Sequence, residues 1–426
     1  MTVLVVGMAV SGRAAVELLR SQGERVIAYD IRPEAAAGVE ADVIHTGAWN
    51  ERLLQGVDLV IPSPGVPETS PLMAAVLASG VPVWSELELG FRALGDTPLA
   101  AITGTNGKTT VTEVAAAMLV ASGIDAAAVG NIGDPITGVG AAHHDVLVVE
   151  ASSFQLRFID SFRPDAAVIV NFAPDHLDWH PDVTAYGAAK CRIFEHMEAD
   201  SPLVFDTGDA GAAGLVDSAR ARRIGVSGHE RHGASGRDGA TLFLADAEIP
   251  IRDLKRRDAA MLVDFAAAAE AARTLGATSD GIAAAALAYE PGGHRREIVA
   301  TAGGVTFIDD SKATNPHAAL AAIGSYKSVV LIAGGRAKGL DIRPLARAES
   351  VHGLVAIGES ADDLLTERRD AIAAETMDEA VERAISLSDR GDVILLSPGC
   401  ASFDMFDSYG HRGDVFAAAV RERVGA

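Results

Sequence analysis

The sequence predicts an α/β protein built on doubly wound parallel sheets. Short aliphatic runs, each followed by a turn, recur along the 426 residues. Near-continuous apolar runs of this length are typical of parallel strands that are buried on both faces. Alanine-rich stretches of helical length separate these runs, and such alternation indicates strand–helix–strand units. At roughly 150 residues per domain, the length corresponds to two or three domains.

The elements follow one another in a regular order along the chain. The predicted strands include Val3–Val6, Val26–Tyr29, Leu59–Ile61, Leu99–Ile102, Val146–Val149, Ala167–Val170, Val305–Ile308, Val329–Ile332, Leu354–Ile357 and Val393–Leu396. The predicted helices include Lys108–Ser122, Met261–Leu275 and Asp378–Leu387. The region 206–247 is rich in Gly, Asp and Ser, which predicts loops and small hairpins. The pattern is interrupted at Gly95-Asp96-Thr97-Pro98 and at Pro291-Gly292-Gly293, so we place domain boundaries there.

Charge and cysteine content exclude several classes of protein. Lys and Arg number 36 against 58 Asp and Glu, which gives a formal net charge of −22. So acidic a surface repels phosphate backbones and anionic lipids, which argues against nucleic-acid and membrane-surface partners. Two cysteines, far apart in sequence, provide neither a disulfide framework nor a zinc module. The chain begins without a basic leader segment and contains no apolar run of the roughly 18 residues that span a bilayer, so we expect a cytoplasmic protein.

A glycine- and lysine-containing loop follows the predicted strand Leu99–Ile102 and opens a helix. It reads Gly104-Thr105-Asn106-Gly107-Lys108-Thr109-Thr110. In this context backbone N–H groups, a helix N-terminus and a lysine cradle a triphosphate, and the Thr109 hydroxyl can reach Mg²⁺. The loop departs from the usual phosphate-loop pattern because Ile102 stands where that pattern has its first glycine. An ordinary strand–helix turn is the alternative, and ATP binding is the interpretation that we favour.

Acidic and basic side chains follow the next strands of the same block. The strand Val146–Val149 delivers Glu150 at its carboxyl end, where a second Mg²⁺ contact would be required. After the strand Ala167–Val170 the chain reads Asn171-Phe172-Ala173-Pro174-Asp175-His176-Leu177-Asp178. Lys190 follows in a helical context. Taken alone, His176 and Lys190 would be ordinary surface residues.

The first strand also ends in a glycine turn. Gly7-Met8-Ala9-Val10-Ser11-Gly12 follows it, and Asp30 lies at the end of the second strand. This arrangement resembles a dinucleotide-binding turn, but Ala9 stands where that turn has its middle glycine. NAD binding is therefore not favoured, although Asp30 and Arg32 can still grip the base or sugar of a nucleotide.

Together, the loop 104–109, Glu150, Asp175-His176 and Lys190 resemble the Mur ligase superfamily, over essentially the whole chain. Its members form amide bonds with ATP in peptidoglycan precursor synthesis, and folylpolyglutamate synthase is among them. Two further segments resemble the members that add D-glutamate. They read Asp309-Asp310-Ser311-Lys312-Ala313-Thr314-Asn315 and Ser397-Pro398-Gly399-Cys400-Ala401-Ser402-Phe403-Asp404.

The resemblance implies three domains: a Rossmann-like N-terminal domain, a P-loop ATPase-like central domain and a Rossmann-like C-terminal domain. Residues 1–95 would form the domain that binds the UDP-sugar. Residues 96–290 would form the ATP-binding domain, and residues 291–426 the domain that binds the amino acid. It implies ATP, two Mg²⁺ ions and a carbamylated Lys190 as cofactors, because the CO₂ adduct of lysine offers an anionic oxygen to a metal. It implies UDP-N-acetylmuramoyl-L-alanine and D-glutamate as substrates of a monomer.

The resemblance also assigns roles to individual residues. ATP would be held by Gly104, Thr105, Asn106, Gly107, Lys108, Thr109, Thr110, Arg295 and Asp310. The metal ligands would be Thr109, Glu150, His176 and Lys190, and the catalytic residues Lys108, Glu150, His176, Lys190 and Arg295. The UDP-sugar would contact Val10, Ser11, Asp30, Arg32, Ser63, Gly65, Asn131 and His176. D-glutamate and the product would contact Lys312, Thr314, Lys338, Ser402, Phe403 and Tyr409.

Three departures from the family pattern concern binding rather than the reaction. Arg257-Asp258 and Asp264 stand where the family has a His-Asn pair and an adenine-contacting Asn. Arg336 replaces an aspartate, and Ala9 replaces a glycine of the uridine-binding turn. The competing hypotheses are a folylpolyglutamate synthase, a nucleotide-sensing protein without turnover and an NAD-linked oxidoreductase.

Overall fold

The computed structural model describes residues 1–141, 144–290 and 292–425. These form two compact units. The first consists of Met1–Ala173 and Trp179–Glu290, and the second of Pro174–Asp178 and Pro291–Ala426. Pro291, where we predict the third domain to begin, lies outside the described residues. The division into domains at 95 and 290 stays a prediction.

The first unit begins with a four-stranded parallel sheet. Its strands are β1 (Thr2–Val6), β2 (Arg25–Asp30), β3 (Val43–Thr46) and β4 (Leu59–Pro62), in the order β3-β2-β1-β4. The helices of this part are α1 (Val10–Ser21), α2 (Pro71–Ser79) and α3 (Glu86–Ala93). Every residue of β4 is buried, as is β1 beyond Thr2, which explains their unbroken apolar sequence.

A six-stranded parallel sheet forms the larger part of the first unit. It contains β5 (Leu99–Thr103), β6 (Ala126–Gly130), β7 (Val146–Glu150), β8 (Ala166–Ile169), β9 (Pro202–Asp206) and β10 (Arg222–Val226), in the order β10-β9-β8-β5-β7-β6. Its helices are α4 (Lys108–Ala121), α5 (Ser153–Leu156), α6 (Val183–Cys191), α7 (Ala210–Val216), α8 (Ala259–Thr274) and α9 (Ser279–Ala288). Residues 261–272 of α8 are all buried. An apolar helix of this kind belongs in a core, and its alanines let α4 and the sheet approach closely.

A small antiparallel sheet completes this unit. Its strands are β11 (Arg231–His232), β12 (Ser235–Asp238), β13 (Thr241–Leu244) and β14 (Ala247–Pro250). The hairpins expected in region 206–247 are therefore present, but the expectation of loops and hairpins alone is wrong. The same region contains the helix α7 and the parallel strand β10, because short Ala- and Val-containing runs there complete the edge of the larger sheet.

The second unit is a six-stranded mixed sheet flanked by helices. Its strands are β15 (Glu297–Ala302), β16 (Val305–Asp309), β17 (Val329–Gly334), β18 (Val351–Ile357), β19 (Ile372–Ala373) and β20 (Val393–Leu396), in the order β15-β16-β20-β17-β18-β19. All neighbours are parallel except β15 and β16, which form a hairpin. The helices are α10 (Pro316–Ile323), α11 (Arg343–Arg347), α12 (Ala361–Glu367), α13 (Met377–Leu387) and α14 (Tyr409–Val424).

The predicted fold class is confirmed, and each predicted strand and helix named above is present within a few residues of its expected bounds. Across the described ranges we find no helix with the length and apolar character needed to cross a bilayer.

Candidate active site

The loop between β5 and α4 has the backbone geometry of a phosphate cradle. Gly107, at φ +81°, precedes the first residue of α4, so the first N–H groups of the helix open onto the loop. A Cβ at this glycine would lie 2.9 Å from both Val170 Cγ1 and Asp264 Oδ1. Only glycine therefore fits, because an L side chain is strained at this φ and has no space.

The segment that follows β8 fixes the loop in place. The backbone N–H of Asn106 donates to Asn171 Oδ1 (2.8 Å), and that of Thr105 donates to the Asn171 carbonyl (3.0 Å). The Thr105 hydroxyl donates to the carbonyl of Ala173 (3.0 Å). The segment after β8 thus anchors the loop at two consecutive residues. Thr110 is buried in α4, and its hydroxyl finds no hydrogen-bond partner in the described part of the chain.

Two lysines converge on this loop. Lys108 Nζ donates to the carbonyls of Gly104 (3.0 Å) and Thr105 (3.1 Å). Lys190 Nζ, on the buried face of α6, donates to the same Gly104 carbonyl at 2.6 Å. It also lies 4.6 Å from the centre of the Tyr186 ring. As ammonium groups, both lysines add positive potential at the loop, and Lys108 keeps that charge even where Lys190 carries a carbamate.

A hydroxyl and a carboxylate meet beside the loop. Thr109 Oγ1 donates to Glu150 Oε2 (2.8 Å), and Asn131 Nδ2 donates to Glu150 Oε1 (2.8 Å). Glu150 is buried at the carboxyl end of β7, next to the loop because β7 pairs with β5. Oxygen donors of this kind suit Mg²⁺, which is bound by one or two carboxylates together with phosphates and water. Among the described residues there is no cluster of three His, Cys, Asp or Glu that could hold a metal without such help.

An aromatic cluster that the sequence analysis missed supports this site. His180 is 1% exposed, and its Nε2 lies 2.9 Å from Ser153 Oγ, in the segment that follows Glu150. Its ring packs between Trp179, Phe154 and Tyr186, with centroid distances of 4.5, 5.7 and 5.3 Å. Burial lowers the pKa of His180 to about 4. The signal available in the sequence was only its position, four residues after His176.

The N-terminal sheet ends in a cavity of about 590 Å³. Among the predicted UDP-sugar contacts, it is lined by Asp30, Arg32, Ser63 and Gly65. Val10 and Ser11 follow the lining residue Ala9 in the first turn of α1, whereas Asn131 lies beside Glu150. The remaining lining residues are Val6, Gly7, Tyr29, Ile31, Trp49, Val66, Pro67, Ser70, Pro71 and Leu72.

Asp30 organises the polar side of this cavity. Its carboxylate accepts from the backbone N–H groups of Met8 (2.7 Å) and Arg32 (2.9 Å). Burial opposes ionisation, but these N–H groups and the Arg32 guanidinium prevail and lower the pKa of Asp30. The carboxylate is therefore charged and fixes the two loops that border the cavity.

In the second unit, the Asp175 carboxylate accepts hydrogen bonds from three residues that the sequence predictions named. It accepts from Lys338 Nζ (2.6 Å), Asn315 Nδ2 (2.9 Å) and the backbone N–H of His176 (2.7 Å). Although burial opposes it, the charges of His176 and Lys338 lower the pKa of Asp175. Both His176 and Lys338 have positive φ, +55° and +53°. Strained backbone at polar residues is typical of functional sites.

The start of β15 and the end of β16 bring a second group of predicted residues together. His294 Nδ1 lies 2.7 Å from Asp309 Oδ2. The neighbouring Asp310 accepts from Ser397 Oγ (2.7 Å) and the backbone N–H of Arg296 (3.3 Å). Burial raises the pKa of Asp310 to about 6. Arg295 is partly buried in the same segment.

The predicted amino-acid residues lie along two segments of the second unit. Lys312 Nζ is 5.6 Å from the Tyr409 ring centre, Ser402 is buried and Phe403 is 67% exposed. Thr314 is half-buried just before α10.

Arg412, which the sequence analysis missed, ties these two segments together. It donates to Ser311 Oγ (2.9 Å), to the Ser311 carbonyl (2.8 Å) and to the Cys400 carbonyl (3.0 Å). Burial lowers the pKa of its guanidinium to about 10.

Three family models match the chain, one after another. They are a MurD-like N-terminal domain of Mur ligases over residues 1–85, the Mur ligase middle domain over 102–241 and the Mur ligase glutamate ligase domain over 294–400. A UDP-N-acetylmuramoylalanine–D-glutamate ligase of Frankia casuarinae is 41% identical, covering 99% of this chain and 94% of the relative. A ligase of the same name from Myxococcus xanthus is 39% identical, covering 98% of this chain and 97% of that relative.

Solved structures of low sequence identity share the fold. A pseudomurein peptide ligase of Methanothermus fervidus superposes with a TM-score of 0.64 at 17% identity, covering 99% of both chains. A MurF ligase of Thermotoga maritima in complex with ADP gives a TM-score of 0.60 at 16% identity, covering 87% of this chain and 91% of that one. FolC of E. coli, in complex with DHPP and ADP, gives a TM-score of 0.56 at 17% sequence identity, covering 85% of this chain and 100% of that one.

Proposed function

The chain belongs to the Mur ligase family, and we propose that it uses ATP to join D-glutamate to UDP-N-acetylmuramoyl-L-alanine. The observation that carries the ATP-dependent step is the convergence of Lys108, Lys190 and the Thr109–Glu150 pair on one glycine loop. The choice of amino acid rests on the name shared by relatives that are 36–41% identical over nearly the whole chain.

The reaction has two steps. A carboxylate oxygen of the L-alanyl group attacks the γ-phosphorus, the bond from that phosphorus to the bridging oxygen of ADP breaks, and an acyl phosphate forms. The neutral amine of D-glutamate then attacks the acyl carbon, phosphate leaves with the former carboxylate oxygen, and the amine loses a proton. Lys108 and the N–H groups at the start of α4 neutralise the charge that accumulates on the transferred phosphoryl group.

We propose two Mg²⁺ ions as cofactors. The Thr109 hydroxyl and the Glu150 carboxylate offer hard oxygen ligands at one, and His176 and a carbamylated Lys190 would be further metal ligands. Bound Mg²⁺ would screen the repulsion between the triphosphate and the attacking carboxylate. Incubation with ¹³C-bicarbonate should give a carbamate carbon signal in the wild type that is absent in Lys190→Ala.

We propose the remaining assignments by the same reasoning. Arg295 and Asp310 would contact the terminal phosphates and the ribose of ATP. The residues that line the N-terminal cavity would hold the UDP moiety, and Lys312, Thr314, Lys338, Ser402, Phe403 and Tyr409 would hold D-glutamate. The protein would act as a monomer in the cytoplasm, with functional domains bounded at residues 95 and 290.

Phosphate release tests this function directly. With ATP, Mg²⁺ and UDP-N-acetylmuramoyl-L-alanine, the wild type should release phosphate when D-glutamate is added and far less when L-glutamate is added. Thr109→Ala should lower the rate by at least roughly tenfold, because it removes one proposed oxygen ligand of the Mg²⁺ ion that screens the reacting phosphate. Equal rates with both enantiomers, or release only with a folate substrate, would exclude the proposed specificity. Nucleotide binding without turnover would indicate a sensor.

A further inference from the structure

Two aromatic residues form one wall of the N-terminal cavity, and neither stands out in the sequence. Trp49 and Tyr29 line it together, with ring centres 5.3 Å apart and ring planes at 76°. The Tyr29 hydroxyl donates to the carbonyl of Gly47 at 2.8 Å, which fixes that ring and the short loop that carries Trp49. The wall is therefore held in place by contacts within the protein.

The indole presents carbon rather than nitrogen to the cavity. Trp49 Nε1 is buried and has no hydrogen-bond partner in the described part of the chain, although the residue as a whole is only partly buried. What a ligand meets at this wall is therefore an apolar aromatic surface. Such surfaces stabilise planar rings by stacking or edge contacts, and do so with little dependence on the pattern of hydrogen-bonding groups.

The other walls of the cavity supply the polar groups. Arg32, Ser63 and Ser70 line it, and the Asp30 carboxylate is occupied by two backbone N–H groups. An aromatic wall combined with a polar wall, in a cavity of about 590 Å³, suits a nucleoside better than a sugar or a phosphate alone. These polar groups can form hydrogen bonds to the edge of a base whose ring packs against the indole.

We propose that Trp49 is a base-contacting residue for the uracil ring of the UDP-sugar substrate. This inference rests on the proposed function, because it assumes that the cavity holds a uracil nucleotide. It assigns to Trp49 part of the affinity for the base and none of the affinity for the phosphates.

Intrinsic fluorescence tests the contact without any turnover. The chain has three tryptophans, and neither Trp84 nor Trp179 lines this cavity. In the variant Trp84→Phe/Trp179→Phe, where Trp49 is the remaining fluorophore, titration with UDP and with uridine should both change the emission. Ribose 5-phosphate, which has no base, and ADP should leave it unchanged at the same concentrations.

Affinities measured by calorimetry complete the test. Trp49→Ala should weaken UDP binding by roughly five- to 150-fold, the range found for one stacked base, whereas Trp49→Phe should lose roughly threefold or less. Both variants should bind ADP like the wild type, which shows that the unit is folded. If Trp49→Ala does not bind ADP, Trp49→Leu replaces it.

The outcomes separate the two proposals. A wild type that binds neither UDP nor uridine would overturn the proposed uridine-nucleotide substrate itself. A wild type that binds UDP, together with an unchanged Trp49 emission or an unchanged affinity in Trp49→Ala, would overturn the role of Trp49 alone.

Discussion

At the scale of single residues, His180 couples the aromatic cluster to pH. It is 1% exposed. Burial is the main cause that lowers its pKa to about 4, the charge of Glu68 opposes this shift, and the charges of Lys190 and Arg157 contribute to it. An unfolded histidine titrates near 6.5. Between these values the unfolded chain binds more protons, so this residue contributes stability that is present above pH 6.5 and is lost as the pH falls.

We therefore predict that His180→Phe flattens the pH dependence of the free energy of unfolding. Between pH 7 and pH 5, His180 should account for about 2 kcal/mol of the loss in the wild type, from the linkage of its two pKa values. Urea unfolding at both pH values measures this difference. Phe154→Leu loosens the same cluster but keeps the titrating imidazole, so it should lower stability at both pH values while retaining most of the pH dependence. An identical pH dependence in wild type and His180→Phe would contradict the prediction.

Residues differ in how far the sequence could predict them. Thr109 and Glu150 were predictable because each follows a strand at the same edge of a parallel sheet, and they meet at 2.8 Å. Trp49 and Arg412 were not, because their roles depend on which distant segments approach them. Arg412, for example, joins Ser311 to Cys400, two segments separated by most of the second unit.

At the scale of elements, α4 carries left-handed glycines at both ends. Gly107 (φ +81°) precedes it and Gly123 (φ +83°) follows it. A Cβ at Gly107 would lie 2.9 Å from Val170 and Asp264, whereas one at Gly123 would meet nothing within 4 Å. The two positions share the conformational cost of an L residue and differ in crowding.

This pair gives a matched test of the phosphate loop. Gly123→Ala should cost about 1 kcal/mol of stability and leave ADP affinity unchanged. Gly107→Ala should carry the same cost and in addition displace the loop, which we expect to weaken ADP binding by roughly tenfold or more, as loss of preorganised phosphate contacts predicts. Calorimetric titration with ADP and thermal unfolding measure both effects. Equal ADP affinities in the two variants would show that the loop tolerates the side chain.

The elements themselves were predictable where the sequence is strongly apolar. The buried strands β1, β5, β7 and β17 appear close to their predicted bounds, since their burial on both faces leaves an unbroken aliphatic run. The strand β10 was missed because it lies at the edge of its sheet. Its sequence, Arg222–Val226, is exposed at the first two positions and does not look like a core strand.

At the scale of the whole molecule, the net charge of −22 and the proposed anionic substrates act against each other. Screening lengths decide which effect governs each stage of binding, because the field extends about 30 Å at 10 mM salt and about 8 Å at 150 mM. Lys108 is held against the Gly104 carbonyl, so its positive charge acts at contact distance. The approach of a nucleotide is therefore governed by the acidic exterior.

We predict that salt accelerates the association of a fluorescent N-methylanthraniloyl derivative of ADP. Raising the ionic strength from 10 to 150 mM should increase its stopped-flow association rate constant roughly two- to threefold, because screening removes the long-range repulsion. The same derivative of adenosine carries no phosphate charge, and its rate should not change. A rate that falls with salt would mean that the cations of the loop already steer the ligand from a distance, and that the acidic residues lie far from the approach to it.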